Sequence, residues 1–358
     1  MQHERYIRQT ILKDFGVEAQ EQLAQSRVLV VGAGGLGVPV LQYLNAMGVG
    51  KIGLIDNDVV SLSNLHRQVL YAENDVNISK VSVAIEKLGA QNSTTVLKGY
   101  NSFLTTDNAL TIIKDYDVVV DASDNFSTRY LVNDACVMLE KPFIYGALHG
   151  FEGYVSVFNY NNGPTYRCLF PTIPKAEEIP NCNEQGVLGV IPGIIGNLQA
   201  LETVKIITGI GTPLSGKLLI FNGLEQTYHK FNIITQPEHK TVKALQRSYE
   251  LVCDLALSSI KAPTLNTLLE SDDTLQLIDV RTHKEYEAFH LKQAIHMPLD
   301  TLEENQNSIN FNKPVYLLCQ SGVRSVKAIQ ILQKHQPKAA LINIEGGLNE
   351  LMHDVSGY

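Results

Sequence analysis

The sequence predicts an α/β protein: a doubly wound, mainly parallel sheet with additional antiparallel strands, followed by a second, smaller α/β domain. Three observations carry this. Arg27 to Val31 is a short apolar run ending in Gly32-Ala33-Gly34-Gly35-Leu36-Gly37, a turn that joins a buried strand to a helix around a phosphate. Apolar strand-like runs then alternate with helically spaced segments as far as Gly146. A βα rhythm restarts on a smaller scale after residue 261, where Val315-Tyr316-Leu317-Leu318 runs straight into Cys319.

Taken in order, Leu36 to Met47 has helical spacing and Lys51 to Ile55 reads as a second buried strand closing at Asp56, completing a Rossmann-like βαβ unit. Lys80 to Leu88 reads as helix, Thr94 to Leu97 as strand, and Tyr116 to Asp121 as a further central strand. Ser127 to Leu139 is helical, and Pro142 to Gly146 extended. Gly153 to Phe158, Lys217 to Phe221 and His229 to Ile233 read as short strands. Between them, Pro171 to Pro180 is a proline-punctuated loop, a lid candidate, followed by Cys182 and a long apolar helix from Val190 to Ile207. The domains expected are 1–240 and 261–358, joined by a linker over 241–260. In the second, Pro263 and Thr264 start a helix through Leu269, Leu275 to Asp279 is strand, and Ser325 to Gln333 is a helix whose N-terminus points at Cys319.

At 358 residues and 44% hydrophobic content the chain can bury two or three cores. A net charge of -8 weighs against nucleic-acid binding through a general basic surface. Met1 to Tyr6 has no apolar h-region, and no apolar run reads as long enough to span a bilayer, so the expectation is a cytoplasmic protein with no membrane partner. The five cysteines, Cys136, Cys168, Cys182, Cys253 and Cys319, are odd in number and scattered, which suits reduced thiols.

On the glycine loop alone, with Asp56 placed to bond a ribose hydroxyl, a NAD-dependent oxidoreductase is the default. Asp58, Ser63-Asn64-Leu65-His66-Arg67-Gln68 and Lys80 shift the balance. Hydride transfer has little need of two cations beside the phosphates, whereas expelling pyrophosphate requires charge to be neutralised on the leaving group. Asp121 and Asp124-Asn125 close a neighbouring strand, where a carboxylate can hold magnesium against phosphate oxygens. His66 reads as a positioning residue at most, and His149 and Cys136 as packing residues.

In this order the motifs resemble the ubiquitin-activating-like adenylyltransferases of the MoeB/ThiF/HesA type. The match runs through Arg5-Tyr6-Ile7-Arg8-Gln9, Gly32 to Gly37, Asp56-Asn57-Asp58, Ser61 to Gln68, Lys80, Asp124-Asn125, and Cys182 with Gly186-Val187-Leu188-Gly189, over about residues 1–235. The rest resembles a rhodanese domain, from Leu277-Ile278-Asp279-Val280-Arg281 through Cys319-Gln320-Ser321-Gly322-Val323-Arg324-Ser325 to Glu345-Gly346-Gly347. The resemblance implies adenylation by ATP of the C-terminal glycine carboxylate of a ubiquitin-like sulfur carrier (MoaD/ThiS-like, ending Gly-Gly), after which sulfur replaces AMP to give a thiocarboxylate. By the same resemblance Gly35, Asp56, Ser63, Asn64, Leu65, His66, Arg67, Lys80, Asp124 and Asn125 hold ATP and its Mg2+. Arg8 reaches the triphosphate of the other protomer of a homodimer, and a sulfur donor such as a cysteine desulfurase loads Cys319.

The thiol fits this on chemical grounds. Cys319 lies in a loop of backbone N–H groups with Arg324 and a helix terminus nearby, conditions that favour a thiolate or persulfide. Arg324 has a structural alternative, bonding loop carbonyls. Cys182 is read either as a nucleophile linking covalently to the carrier or as an inert buried thiol. Two alternative functions stay open: adenylation of another carboxylate, such as a modified tRNA base, and an oxidoreductase with an appended thiol domain.

Two departures from the family's pattern stand out. Many members hold structural zinc between two C-x-x-C pairs, but here the first pair reads Thr165-Tyr166-Arg167-Cys168 and residues 235–250 contain no cysteine. Cys168 and Cys253 alone make no four-ligand site, so no structural zinc is expected, with His229 and His239 the remaining ligand candidates. The segment Gly347-Leu348-Asn349-Glu350-Leu351 also lacks the tryptophan often found there.

Overall fold

The computed structural model describes residues 2–174, 186–246, 249, 258–271, 275–336 and 338–355. Cys182 and Cys253 lie outside these. Contacts divide the chain into two units, Met1–Val252 and Cys253–Tyr358, so the segment 241–260 read as linker overlaps both.

In the first unit, β1 (Arg27–Val31), β2 (Lys51–Asp56), β3 (Val96–Asn101), β4 (Val118–Asp121), β5 (Phe143–His149), β6 (Glu152–Phe158), β7 (Lys217–Asn222) and β8 (Thr227–Asn232) form one sheet in the order β3-β2-β1-β4-β5-β6-β7-β8. The first five run parallel; β6, β7 and β8 pair antiparallel. The chain winds outward from β1 through β2 to β3, then returns to β4 and winds the other way. The carboxyl ends of β1 and β4 therefore flank the crevice where such sheets bind ligands.

β1 is apolar from Val28 to Val31 because both its faces are covered there, while Arg27 at its start is exposed. Val28 and Val30 pack with the helices Gly37–Ala46 and Val190–Thr208, while Leu29 and Val31 join a second core with the helix Phe126–Met138 and the buried rings of Tyr116, Tyr130, Phe143, Phe158 and Tyr166. β3 starts at Val96 rather than Thr94 and runs on to Asn101. As the edge strand it is largely exposed, so polar Lys98 and Asn101 sit where an interior strand would be apolar. One expectation is corrected: Val190–Thr208 is long and apolar enough to cross a membrane by length and composition. Half of that span is buried, with Ile191, Ile195, Ala200 and Val204 in the core, and its apolar character on all sides is that of a central core helix.

In the second unit, β9 (Ser258–Ile260), β10 (Gln276–Asp279), β11 (Ala294–His296), β12 (Val315–Leu318) and β13 (Leu341–Ile344) form an all-parallel sheet ordered β11-β10-β12-β13-β9. Val315, Leu317 and Cys319 pack against Ala328, Ile329 and Leu332 of the helix Val323–His335. Leu277, Leu318 and Ile344 face Leu265, Leu348 and Leu351 of the helices Ala262–Ser271 and Gly347–Val355.

Candidate active site

A cavity of about 540 Å3 opens at the carboxyl ends of β1, β2 and β4. Its wall begins with the glycine loop. Gly32 has φ +103°, and a Cβ there would lie 2.7 Å from the Ala122 carbonyl oxygen at the end of β4; a Cβ on Gly37 would lie 1.9 Å from the Gly32 oxygen. No side chain fits at either point, so the helix Gly37–Ala46 starts directly against the loop. Gly34 and Gly35 line the cavity. The loop is fastened at Ala33, whose N–H donates to Asp56 Oδ2 (2.7 Å) and whose carbonyl accepts from the Tyr71 hydroxyl (2.9 Å). Asp56 Oδ1 accepts from the Asp58 N–H (2.8 Å), so both oxygens of this carboxylate already hold backbone, and a ribose hydroxyl would share them.

The cationic wall follows β2. Ser61 caps the short turn Leu62–Asn64, which carries Asn64 into the cavity, and Arg67 Nη1 donates to the Ser63 carbonyl (3.0 Å) beside His66 Nε2 (2.8 Å). Lys80 opens the helix Lys80–Gln91, capped by Ser79. It is buried, with its ammonium 2.8 Å from Asp58 Oδ2. Opposite, Asn125 caps Phe126–Met138 by accepting from the Thr128 N–H (2.9 Å), which leaves the exposed Asp124 carboxylate at the cavity without a hydrogen bond or ion pair among the described residues.

Beneath this loop lies a buried layer. Asp121 Oδ1 accepts from the Ser123 hydroxyl (2.6 Å) and N–H (3.1 Å), and burial pushes its carboxyl above the usual range against the pull of the nearby Arg129. Arg129 donates to the Ser123 carbonyl (3.3 Å), and Gln199 Nε2 to the Asp121 carbonyl (2.7 Å). Asp121 Oδ2, Arg129 Nε, Gln199 Oε1 and Gln68 Oε1 are buried without partners. Gln68 and Arg129 also line the cavity, but these unpartnered atoms lie closed off in the layer beneath it.

Of the residues singled out from sequence, Gly35, Asp56, Asn64, Arg67, Lys80, Asp124 and Asn125 come together around this cavity. Ser63 and His66 are exposed beside it, and Leu65 packs on the core. Arg8 is exposed on the helix Gln2–Thr10 and is not part of the cavity wall. Cys182 falls outside the described residues. Gln68, Thr128 and Arg129 also line the cavity and were not named as ligands; Arg129, four residues past the cap Asn125, lies on that helix's inner face, a spacing that is visible in the sequence.

The second unit presents the thiol. Cys319 is fully buried at the end of β12, its sulfur receiving the Gly322 N–H (3.1 Å) with Ser325 Oγ at 3.5 Å. Gly322, at φ +86°, is the N-cap of Val323–His335, so a helix N-terminus faces the sulfur. Ser325 is held in turn by Asn343 Oδ1 (2.7 Å) and the Gly322 carbonyl (3.0 Å). Arg324 does not contact the sulfur through hydrogen bonds. Its guanidinium is forked onto Glu285 (2.7 and 2.6 Å). Arg281 is forked onto buried Asp279 and donates to Gln320 Oε1 (3.2 Å), fixing the loop's other side.

A glycine-loop α/β sheet with cations and a free carboxylate at its switch point, followed by a separate unit that presents a thiol at a helix N-terminus, defines a nucleotide-using enzyme with a sulfur-handling domain. The ThiF family profile matches residues 6–243 and the rhodanese-like domain profile residues 261–354. "Adenylyltransferase and sulfurtransferase MOCS3" of Aedes aegypti is 39% identical over 379 residues, covering 98% of this chain and 87% of that protein; the Xenopus laevis protein of the same name is 40% identical, covering 96% and 85%. Among solved structures, E. coli MccB with AMPCPP and selenomethionine MccA aligns at TM-score 0.59 and 25% identity over 66% of this chain and 73% of that one. PaaA aligns at 0.57 and 25% over 66% and 74%. The chain belongs to the ThiF family, with a rhodanese-like domain at its C-terminus. It is an adenylyltransferase and sulfurtransferase.

Proposed function

We propose that the substrate is the C-terminal glycine carboxylate of a ubiquitin-like sulfur carrier. In this reading a carrier carboxylate oxygen attacks the α-phosphorus of ATP, pyrophosphate leaves, and the terminal sulfur of a Cys319 persulfide attacks the acyl carbon and expels AMP. A thiol of an external reductant then attacks the Cys319 sulfur, releasing the thiocarboxylate and leaving a mixed disulfide that a second reductant thiol opens; Cys182, read from sequence as a nucleophile linking covalently to the carrier or as an inert thiol, lies outside the described residues. The observation that supports it most is the pairing on one chain of a cation-lined nucleotide cavity with Cys319 at a helix N-terminus whose Gly322 N–H meets its sulfur.

Each residue has a stated task. Gly34 and Gly35 let the triphosphate approach backbone; Asn64 and Arg67 orient it, and Lys80 offsets charge growing on pyrophosphate. The residues present fit Mg2+, since Asp124 offers an unengaged carboxylate on the cavity wall; bound there, the ion neutralises phosphate oxygens. Arg8, exposed and absent from the cavity wall, completes the site from a second protomer of a homodimer, and Ile7, Ile11 and Leu12 expose apolar surface beside it that a partner would cover.

The test is pyrophosphate exchange into ATP by the full chain, with and without a purified carrier ending in Gly-Gly, followed by mass analysis of the carrier. Carrier-dependent exchange and replacement of one carboxylate oxygen by sulfur are expected. Exchange stimulated by another carboxylate, or none with any carrier encoded nearby, sinks the assignment.

A further inference from the structure

We propose that the turns Thr165–Cys168 and Gln236–His239 form a metal-independent clasp, in which one thiol supplies by hydrogen bonding the join that zinc provides in relatives with two C-x-x-C pairs. The two turns face each other with matched spacing. Thr165 caps the short helix Tyr166–Leu169, and Gln236 precedes the 3-10 turn Pro237–Lys240. Cys168 Sγ receives the N–H of Thr165 (3.4 Å) from its own turn and the N–H of Gln236 (3.3 Å) from the other. The Gln236 carbonyl lies 3.8 Å away as acceptor for the thiol proton. Thr165 Oγ1 donates to the His239 carbonyl (3.2 Å), and Lys240 Nζ to the Asn162 carbonyl (2.8 Å).

The donor set does not fit zinc. The positions three apart on each turn carry a hydroxyl, a thiol, a carboxamide and an imidazole, so two of four are zinc ligands by type, whereas structural zinc takes four sulfur or imidazole ligands. No cluster of three or more His, Cys, Asp or Glu side chains that could hold a metal exists among the described residues. His229, the other ligand considered, lies on β8 opposite Ile220. A thiol that accepts two N–H groups and donates one proton is satisfied as a neutral group, and a thiolate bound to metal would forfeit the donated bond. Thr165 is fully buried and Cys168 nearly so, within the same core as Tyr166, so the join is shielded from water.

The consequence lies downstream. Tyr130 donates to the carbonyls of Phe170 (3.1 Å) and Thr172, and Arg167 to that of Pro171 (3.2 Å), so the clasp and these bonds together fix the root of the segment leading to Cys182. That root is set without a metal, and the chain's stability is indifferent to chelators.

The experiment uses the full-length protein. Elemental analysis should find well under one zinc per chain, and melting should not shift with 1,10-phenanthroline; one zinc per chain whose removal lowers the melting temperature overturns the proposal. Cys168→Ser keeps a donor and acceptor and should melt above Cys168→Ala, which loses the thiol's two bonds to Gln236 and should melt about 2–4 °C below wild type for each bond lost. Equal melting of Cys168→Ala and wild type also overturns it. The combined variant Thr165→Cys/Gln236→Cys/His239→Cys completes four thiols on the same frame. It should acquire one zinc per chain and a melting temperature that phenanthroline lowers; a soluble variant that takes up none shows the turns are not so aligned.

Discussion

The Lys80 ammonium lies 2.8 Å from Asp58 Oδ2, with the lysine side chain 5% exposed and the aspartate 64% exposed. The pair is asymmetric. Removing the lysine's charge leaves a solvated carboxylate, whereas removing the aspartate's charge leaves a buried ammonium with no counterion. Lys80→Met, which keeps the buried stem, should cost little stability yet slow pyrophosphate exchange about 10²–10³-fold, as loss of one charge-stabilising group does. Asp58→Asn should instead destabilise the first unit by about 1–3 kcal/mol. Comparison of melting and exchange for the two variants checks this, and equal melting would refute the asymmetry.

Gly37→Ala tests the loop geometry. Its Cβ would sit 1.9 Å from the Gly32 carbonyl oxygen, so the helix must withdraw from the loop, at about 1–3 kcal/mol, and ATP affinity should collapse. Gly34→Ala meets only Gln68 Nε2, at 3.6 Å, and should fold normally with a smaller loss of affinity. Calorimetric titration with ATP separates them.

These glycines were legible in the sequence because backbone geometry dictates residue type there, and the spacing of Gly32, Gly34 and Gly37 records it. The cavity wall was legible for a similar reason: Lys80 opens a helix, Asp124 follows the end of β4, and Asn64 and Arg67 lie in the connection that leaves β2, the places where the βα rhythm puts ligands. The layer below was harder to read. Asp121, Arg129 and Gln199 come from three elements, and their meeting depends on packing between β4 and two helices. The N-terminal helices Gln2–Thr10 and Gly16–Gln25 were harder to read because their buried faces are short and not purely apolar: the first buries Tyr6, and the second buries Ala19 and Leu23 with the polar Gln20 between them, while Ile7 and Val17 are exposed. In the second unit, Glu285 gave no signal, since its partner Arg324 lies 39 residues away.

That pair carries a pH prediction. The forked bond from Arg324 holds the Glu285 carboxyl well below its ordinary 4.5, at about 2. A depressed folded value means the stabilisation is fully present above pH 4.5 and is lost as pH falls towards 2. Glu285→Gln should therefore lower the melting temperature of the second unit at neutral pH, with the gap to wild type closing through that acid window. A gap that stays constant with pH would show that the charge is irrelevant.

Cys319→Ala should abolish thiosulfate sulfurtransferase activity and leave carrier-dependent pyrophosphate exchange within about twofold of wild type, because the nucleotide cavity is built wholly from residues of the first unit. Loss of both activities would mean that the thiol also serves adenylation. Ser325→Ala, which releases a hydroxyl bonded to Asn343, should reduce sulfur transfer without abolishing it.

Arg8 offers the sharpest test of assembly. It is exposed on Gln2–Thr10 and absent from the wall of its own chain's cavity, whereas Asp124 stands on that wall. If Arg8 serves the cavity of a two-fold partner, Arg8→Ala and Asp124→Ala should each suppress exchange on their own. In a heterodimer of the two variants, one cavity combines an intact Asp124 with an intact Arg8 from its neighbour, and the other cavity lacks both. Random assembly makes half the dimers mixed, so co-expression should restore about a quarter of wild-type exchange. If Arg8 acted within its own chain, neither cavity of the mixed dimer would be complete and nothing would be restored. Exchange rates of the co-expressed pair, with each variant alone as baseline, decide between the two arrangements.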